Sequence, residues 1–210
     1  MNKIDWRLCF VADMDAAMGR DLTMLVSEAV AGGVTCVQLR AKHFNGGPFL
    51  LLAERLTALL NPKNIPLIIN DRVDVAAAGK CQGVHLGQDD LPVSAAREIL
   101  GKKAVIGVSV NTVEEARTAE KEGADYLGAG PVFTTSSKET SLPVLGTGGL
   151  KLLLHQVNIP VLAIGGIDSR NAPDVFNAGA DGIAVISAIL GPEDTRKAAY
   201  KLARALPPVK

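Results

Sequence analysis

Aromatic residues are scarce in this chain of 210, at 4%, so aliphatic side chains must fill whatever core it builds. Cysteine is scarcer still: Cys9, Cys36 and Cys81 are odd in number, scattered, and never at metal-ligand spacing. They define neither a disulfide framework nor a zinc site, and each sits in or beside an apolar run, as buried free thiols of a reducing cytosol do. Excess charge is also missing, since 22 basic side chains meet 22 acidic ones. That excludes a bulk electrostatic attraction for nucleic acid or for an anionic membrane. Any anion must be caught by a local site. No stretch approaches the roughly 18 apolar residues of a membrane span, and Asp5, Arg7, Asp13 and Asp15 interrupt any apolar leader segment. The expectation is a cytoplasmic protein whose partners are small molecules, with neither nucleic acid nor membrane among them; a homo-oligomer stays open.

What the chain does contain is regular. With 48% hydrophobic and 21% charged residues it has the balance of a globular protein and length enough for a full core. Runs rich in Val, Ile and Leu recur at residues 8–12, 36–39, 66–69, 83–86, 105–108, 126–129, 160–163 and 182–186. Their apolar residues are continuous instead of alternating, the pattern of parallel strands buried on both faces. Between them lie segments with helical spacing, such as Leu52, Leu56, Leu59 and Leu60, or Val113, Ala116 and Ala119 set among charges. Three helices end on glycine-containing phrases, at Gly32-Gly33, Gly123 and Gly179, which suits a left-handed cap before the next strand. Eight such units at about 26 residues each predict an α/β fold, a (β/α)₈ TIM barrel forming a single compact domain over residues 1–210. A doubly wound open sheet is the rival; it has fewer strands as a rule.

In a barrel of this kind the segments after the strands form the active face. After the second strand come Gln38, Arg40 and Lys42; after the third, Asn70, Asp71 and Arg72; after the fourth, Asp89 and Asp90; after the fifth, Ser109. The segment 130–147 after the sixth strand is unusually long and carries Thr134, Thr135, Ser136, Ser137 and Lys138, as a lid would. Gly165 and Gly166 follow the seventh strand, and Ser187 opens a helix after the eighth. Glycines that allow close approach, beside a helix N-terminus, make a phosphate site. Arg40, Lys42 and Lys138 are cations for a second anion, and Asp71 and Asp90 are carboxylates for one metal. Mg²⁺ is commonly held by one or two carboxylates with substrate phosphates and water. These groups, with Asn70 and Ser109, predict a magnesium–diphosphate site. His85 alternates with buried residues, so a satisfied core histidine is favoured over a catalytic one. No Ser-His-Asp set, Cys-His pair or dinucleotide fingerprint is present.

The stretches Gln38-Leu39-Arg40-Ala41-Lys42, Ile69-Asn70-Asp71-Arg72, His85-Leu86-Gly87-Gln88-Asp89-Asp90, Gly130-Pro131-Val132-Phe133-Thr134-Thr135-Ser136-Ser137-Lys138 and Ile164-Gly165-Gly166 resemble the thiamine phosphate synthases. These are (β/α)₈ transferases of vitamin B1 assembly, and the resemblance runs from Leu8 to Leu190. It implies that an aminopyrimidine methyl diphosphate is joined to a thiazole phosphate with release of pyrophosphate. Gln38, Arg40, Lys42, Asn70, Ser109 and Lys138 would then hold the diphosphate, with Arg40, Lys42, Ser109 and Lys138 as the catalytic side chains. Asp71 and Asp90 would carry Mg²⁺, while Thr135, Ser136, Ser137, Gly166, Ile186 and Ser187 would hold the thiazole phosphate.

The chain departs from the family's usual pattern at Ala41 (Glu), Asn111 (His), Thr134 (Pro) and Ser137 (Thr). None of the four removes a metal or diphosphate ligand, so they bear on loop geometry and efficiency. Other readings are a thiazole tautomerase-like barrel, a non-catalytic binder of thiamine precursors, and a sugar-phosphate isomerase or epimerase. The complete set of Asp71, Asp90, Arg40 and Lys138 argues against the first two. The third would want a pair of bases facing one carbon.

Overall fold

A computed structural model describes residues 4–135 and 142–208. Its eight strands are β1 (Leu8–Asp13), β2 (Cys36–Arg40), β3 (Leu67–Asn70), β4 (Gly83–Leu86), β5 (Val105–Val110), β6 (Tyr126–Ala129), β7 (Val161–Ile164) and β8 (Gly182–Val185). All neighbouring pairs are parallel, and β8 returns to β1, closing the barrel in sequence order. The alternating helices are α1 (Leu22–Ala31), α2 (Gly46–Leu60), α3 (Val73–Ala78), α4 (Val93–Leu100), α5 (Val113–Lys121), α6 (Gly146–Leu154), α7 (Ala172–Asn177), the short α8 (Ser187–Leu190) and α9 (Thr195–Arg204). The (β/α)₈ barrel is thus the observed architecture, and the rival open sheet is excluded.

Local chemistry sets the helix ends. Asp21 caps α1 by accepting from the N–H groups of Thr23 and Met24, and Thr112 and Glu115 form a reciprocal capping box at α5. Gly33, Gly123 and Gly179 sit at φ of +108°, +93° and +110°, the left-handed region that lets the chain leave a helix and enter a strand.

Aliphatic side chains build most of the core, as the lack of aromatics requires. Inside the barrel, Trp6 stacks on Tyr126 with ring centroids 4.3 Å apart and closes the N-terminal mouth. Above them His85 crosses the interior, and two glycines make room for it. A Cβ built on Gly107 would come within 2.6 Å of His85 Nδ1 and 2.1 Å of the Tyr126 ring; one on Gly128 would come within 2.9 Å of the imidazole. Bulky aliphatic residues at those two positions would leave the ring no space.

Strand ends extend further than the apolar runs suggest. Arg40 and Asn70 are the last residues of β2 and β3, and Ser109 lies within β5, so none of the three is a loop residue. A polar side chain interrupts a hydrophobic run without interrupting the hydrogen-bonded ladder. The pleat therefore fixes the direction in which each of them points.

Candidate active site

Parallel register places partners of adjacent strands on the same face. Asp13 lies opposite Arg40, Asn70 opposite His85, and His85 opposite Gly107, all facing inward at successive levels. The Arg40 guanidinium donates through Nη1 to the Asp13 carboxylate. Two residues earlier on the same face, Gln38 is buried. Near it, the Tyr126 phenol is pushed well above its ordinary range chiefly by burial, against a lowering effect of the Gln38 side chain. Tyr126 is consequently a neutral hydroxyl at any physiological pH.

His85 is 7% exposed. Its Nδ1 lies 2.9 Å from the Tyr126 hydroxyl and its Nε2 2.9 Å from Ser109 Oγ. It is a satisfied interior histidine, as expected, and it also reaches the rim by fixing the Ser109 side chain. On the other side, Gln88 Nε2 donates to the Ser109 carbonyl at 2.7 Å.

The two carboxylates proposed for a metal are held by different means. Asp71 occupies the left-handed region at φ +63°, a conformation that Asp and Asn tolerate better than most residues. Its N–H donates to the His85 carbonyl at 2.8 Å, and the following N–H, from Arg72, turns back to the Asn70 carbonyl at 2.8 Å. That tight turn swings Asp71 toward the barrel mouth. Arg72 itself is spent on Asp74, 2.6 Å away, and holds that carboxyl below its usual range. Asp90 accepts the Gly87 N–H on Oδ2 at 2.6 Å, which closes its loop against β4.

The far side of the rim is built from backbone. Gly165 and Gly166 have φ of +100° and +64°. Carbonyls bring the end of β7 against the segment after β6, where Val132 N–H donates to the Ile164 carbonyl at 2.9 Å and Phe133 N–H to the Gly165 carbonyl at 3.0 Å. A Cβ on Gly166 would sit 2.4 Å from the Thr134 carbonyl oxygen and 2.9 Å from Phe133 Cβ; one on Gly165 would sit 2.6 Å from Pro131 Cβ. These glycines are required first by chain-to-chain packing. Ser187 opens α8 directly after Ile186.

Asn111, one of the departures from the family pattern, is buried. Its Nδ2 donates to the Gly130 carbonyl and to the Pro143 carbonyl, each at 3.0 Å, so one amide joins both stems of the long segment after β6. Glu115 accepts the Asn111 N–H at 2.6 Å and fixes it to the start of α5. Thr135 is described, whereas Ser136, Ser137 and Lys138 lie outside the described residues.

A cavity of about 450 Å³ opens at this end of the barrel, and it gathers Lys42, Asp71, Asp90, Ser109, Thr135, Gly166, Ile186 and Ser187. Gln38, Arg40 and Asn70 are not in its wall; Gln38 lies beneath, and Arg40 is drawn to Asp13. Val110, Ile164, Ile167 and Val185 supply apolar wall between the charged and the glycine-lined ends. A second cavity, about 330 Å³, lies between α4 and α5 and is walled by Glu114, Glu115 and Glu122, the wrong charge for a phosphate. Among the described residues no group of three or more His, Cys, Asp and Glu comes together as a metal site. The donor set at Asp71 and Asp90 therefore suits a hard cation that takes its remaining oxygens from a substrate and water. Asp13, Tyr126 and the glycines around His85 were not among the expected site residues. Only the Asp-Arg complementarity of two strand ends could have pointed to Asp13.

Residues 8–189 match the family model described as thiamine monophosphate synthase. The chain is 46% identical to a thiamine-phosphate synthase of Chloroflexus aurantiacus, over 97% of this chain and 93% of that one. It is 47% identical to a thiamine-phosphate synthase of Syntrophomonas wolfei, over 96% of this chain and 97% of that one. Among solved structures it is similar to a thiamine phosphate pyrophosphorylase from Pyrococcus furiosus, with a TM-score of 0.89, 40% identity and 96% of each chain covered.

Proposed function

Because the chain belongs to the thiamine monophosphate synthase family, we propose that opposite ends of one cavity hold its two substrates, an aminopyrimidine methyl diphosphate and a thiazole phosphate. The enzyme is a transferase that forms thiamine phosphate. In our reading Arg40, Lys42, Asn70 and Ser109 hold the diphosphate, with Gln38 supporting them from below. Gly166, Ile186, Ser187 and Thr135 hold the thiazole phosphate. Ser136, Ser137 and Lys138 join these two groups on the sequence resemblance. Asp71 and Asp90 would hold Mg²⁺, which would supply positive charge to offset that of the diphosphate.

The chain's own part is positioning and charge. The bond between the methylene carbon and the diphosphate oxygen breaks with both electrons on the diphosphate. The thiazole nitrogen then supplies the electron pair of the new C–N bond. Arg40, Lys42 and the Ser109 hydroxyl stabilise the charge that grows on the leaving group. The attacking nitrogen carries a lone pair and no proton, so no general base is required, and the Ser109–His85 pair has no nucleophilic role in this reading. The apolar wall of Val110, Ile164, Ile167 and Val185 keeps water from the electron-poor methylene carbon. Cys9 and Cys36 are buried free cysteines, and assignment to the cytoplasm, where thiols stay reduced, belongs to the same reading.

One observation carries the reading: Lys42, Asp71, Asp90 and Ser109 share a single cavity with Gly166 and Ser187. The test mixes purified protein with the two substrates and Mg²⁺, then follows thiamine phosphate and pyrophosphate. Equal amounts of both products, abolished by EDTA and restored by added Mg²⁺, are expected. Undiminished turnover in EDTA would remove the metal from the reading, and no product at any Mg²⁺ concentration would remove the reaction.

A further inference from the structure

We propose that Asp13, at the end of β1, is a positioning residue that holds Arg40 ready for the diphosphate before substrate arrives. The proposal rests on the reading that Arg40 binds that group. Asp13 is 2% exposed. A carboxylate so deeply placed is tolerated only when its charge and oxygens are matched. Both oxygens are matched here. Oδ2 accepts from Arg40 Nη1, and Oδ1 accepts the Ala16 N–H at 2.9 Å. The Ala17 N–H returns to the Asp13 carbonyl at 3.0 Å, and the Met14 N–H donates to the Arg40 carbonyl at 2.9 Å. The carboxylate is therefore fixed by the backbone turn that follows β1, and it fixes the guanidinium in turn.

Only one guanidinium nitrogen is used. Among the described residues Arg40 Nε and Nη2 have no protein partner, and these two form the forked edge that fits an anion's oxygens. A free arginine loses much side-chain freedom when a ligand orders it. A pre-ordered one avoids that loss, which corresponds to a factor of about ten in affinity. The pair has an opposing consequence as well. A negative charge next to Arg40 weakens the attraction of an anion, so removing it would tighten diphosphate binding if charge balance were the whole role. The sign of the effect separates positioning from simple neutralisation.

The test uses the full chain and four forms: wild type, Asp13→Asn, Arg40→Ala and the double variant. KM is measured for each substrate, together with the inhibition constant of inorganic pyrophosphate in Mg²⁺. Asp13→Asn should raise the diphosphate KM and the pyrophosphate constant about tenfold and leave the thiazole phosphate KM unchanged. In the Arg40→Ala background it should add nothing further. Tighter pyrophosphate binding in Asp13→Asn, an equal rise for both substrates, or the same rise with and without Arg40 would overturn the proposal. An unchanged pyrophosphate constant in Arg40→Ala would instead overturn Arg40 as a diphosphate ligand. A second measurement needs no variant to fold. In the wild-type protein the Arg40 Nη1 NMR resonances, held by Asp13, should be resolved from those of Nη2 and slowly exchanging before any ligand is added. A resonance broadened by exchange in the free protein, and protected only with Mg²⁺ and pyrophosphate, would contradict pre-positioning.

Discussion

From β2 to β5 the rim of this barrel offers side chains: Arg40, Lys42, Asn70, Asp71, Asp90 and Ser109. From β6 to β8 it offers mostly backbone, with Gly165 and Gly166 packed against the segment after β6 and a hydroxyl at Ser187. On the proposed reading both ends hold an anion, yet they should respond differently to substitution. On the first side a charge can be deleted while the strand beneath stays in place. On the second, an added carbon collides with neighbouring chain before it meets any ligand, so binding and stability change together. Function can be dissected residue by residue only where it is carried by side chains on a rigid ladder.

The sharpest way to break this contrast is at the carboxylates. Asp71→Asn or Asp90→Asn should lower turnover by at least about a hundredfold, while the melting temperature barely moves. Asn is the right replacement at position 71, because the φ of +63° would strain Ala by about 1–2 kcal/mol. A variant that keeps full turnover in low Mg²⁺ would take that carboxylate out of the metal site. On the glycine side, Gly166→Ala should destabilise the protein by about 1–3 kcal/mol and raise the thiazole phosphate KM, since the new carbon meets the Thr134 carbonyl. Thermal melts and kinetics should move in concert. A rise in KM with unchanged stability would mean that the backbone yields freely there.

Smaller effects sharpen the comparison. Asn111→Ala leaves the Gly130 and Pro143 carbonyls without their shared donor and should cost about 1–3 kcal/mol by denaturant titration. It should weaken the thiazole phosphate more than the diphosphate, because the stems it joins carry that end of the cavity. An equal effect on both substrates would make Asn111 a general stabiliser. Tyr126→Phe should have the smallest effect, about 1 kcal/mol of stability, with turnover within about threefold. Its hydroxyl touches His85, which separates it from Ser109 in the cavity wall. A collapse of turnover in this variant would place the interior network inside the reaction.

Much of this contrast can be read from the chain itself, and the gaps have physical causes. Strand positions are legible because both faces of each strand are buried, which writes itself as unbroken Val, Ile and Leu. Arg40, Asn70 and Ser109 escape that signature, although the ladder continues through the first two and past the third. That Asp71, Asp90 and Lys42 line the cavity is legible from their chemical type and their place after a strand. Asp13 is not, because a lone acid ending an apolar run looks like a strand terminus, and its partner lies 27 residues away on the next strand. Gly166 looks like space for a ligand until the neighbouring segment is placed beside it. Asn111 reads as a mere departure from a family habit until the two carbonyls it bridges are known.

The division of the rim is tested most directly by crossing two single substitutions with two substrates. Lys42→Ala removes a charge from the side-chain end, and Ser187→Ala removes a hydroxyl from the backbone end, with both residues in the wall of the same cavity. Lys42→Ala should raise the diphosphate KM about tenfold and leave the thiazole phosphate KM within about twofold, and Ser187→Ala should do the reverse on a smaller scale. If both variants raise the same constant, or each raises both equally, the two ends do not hold separate substrates.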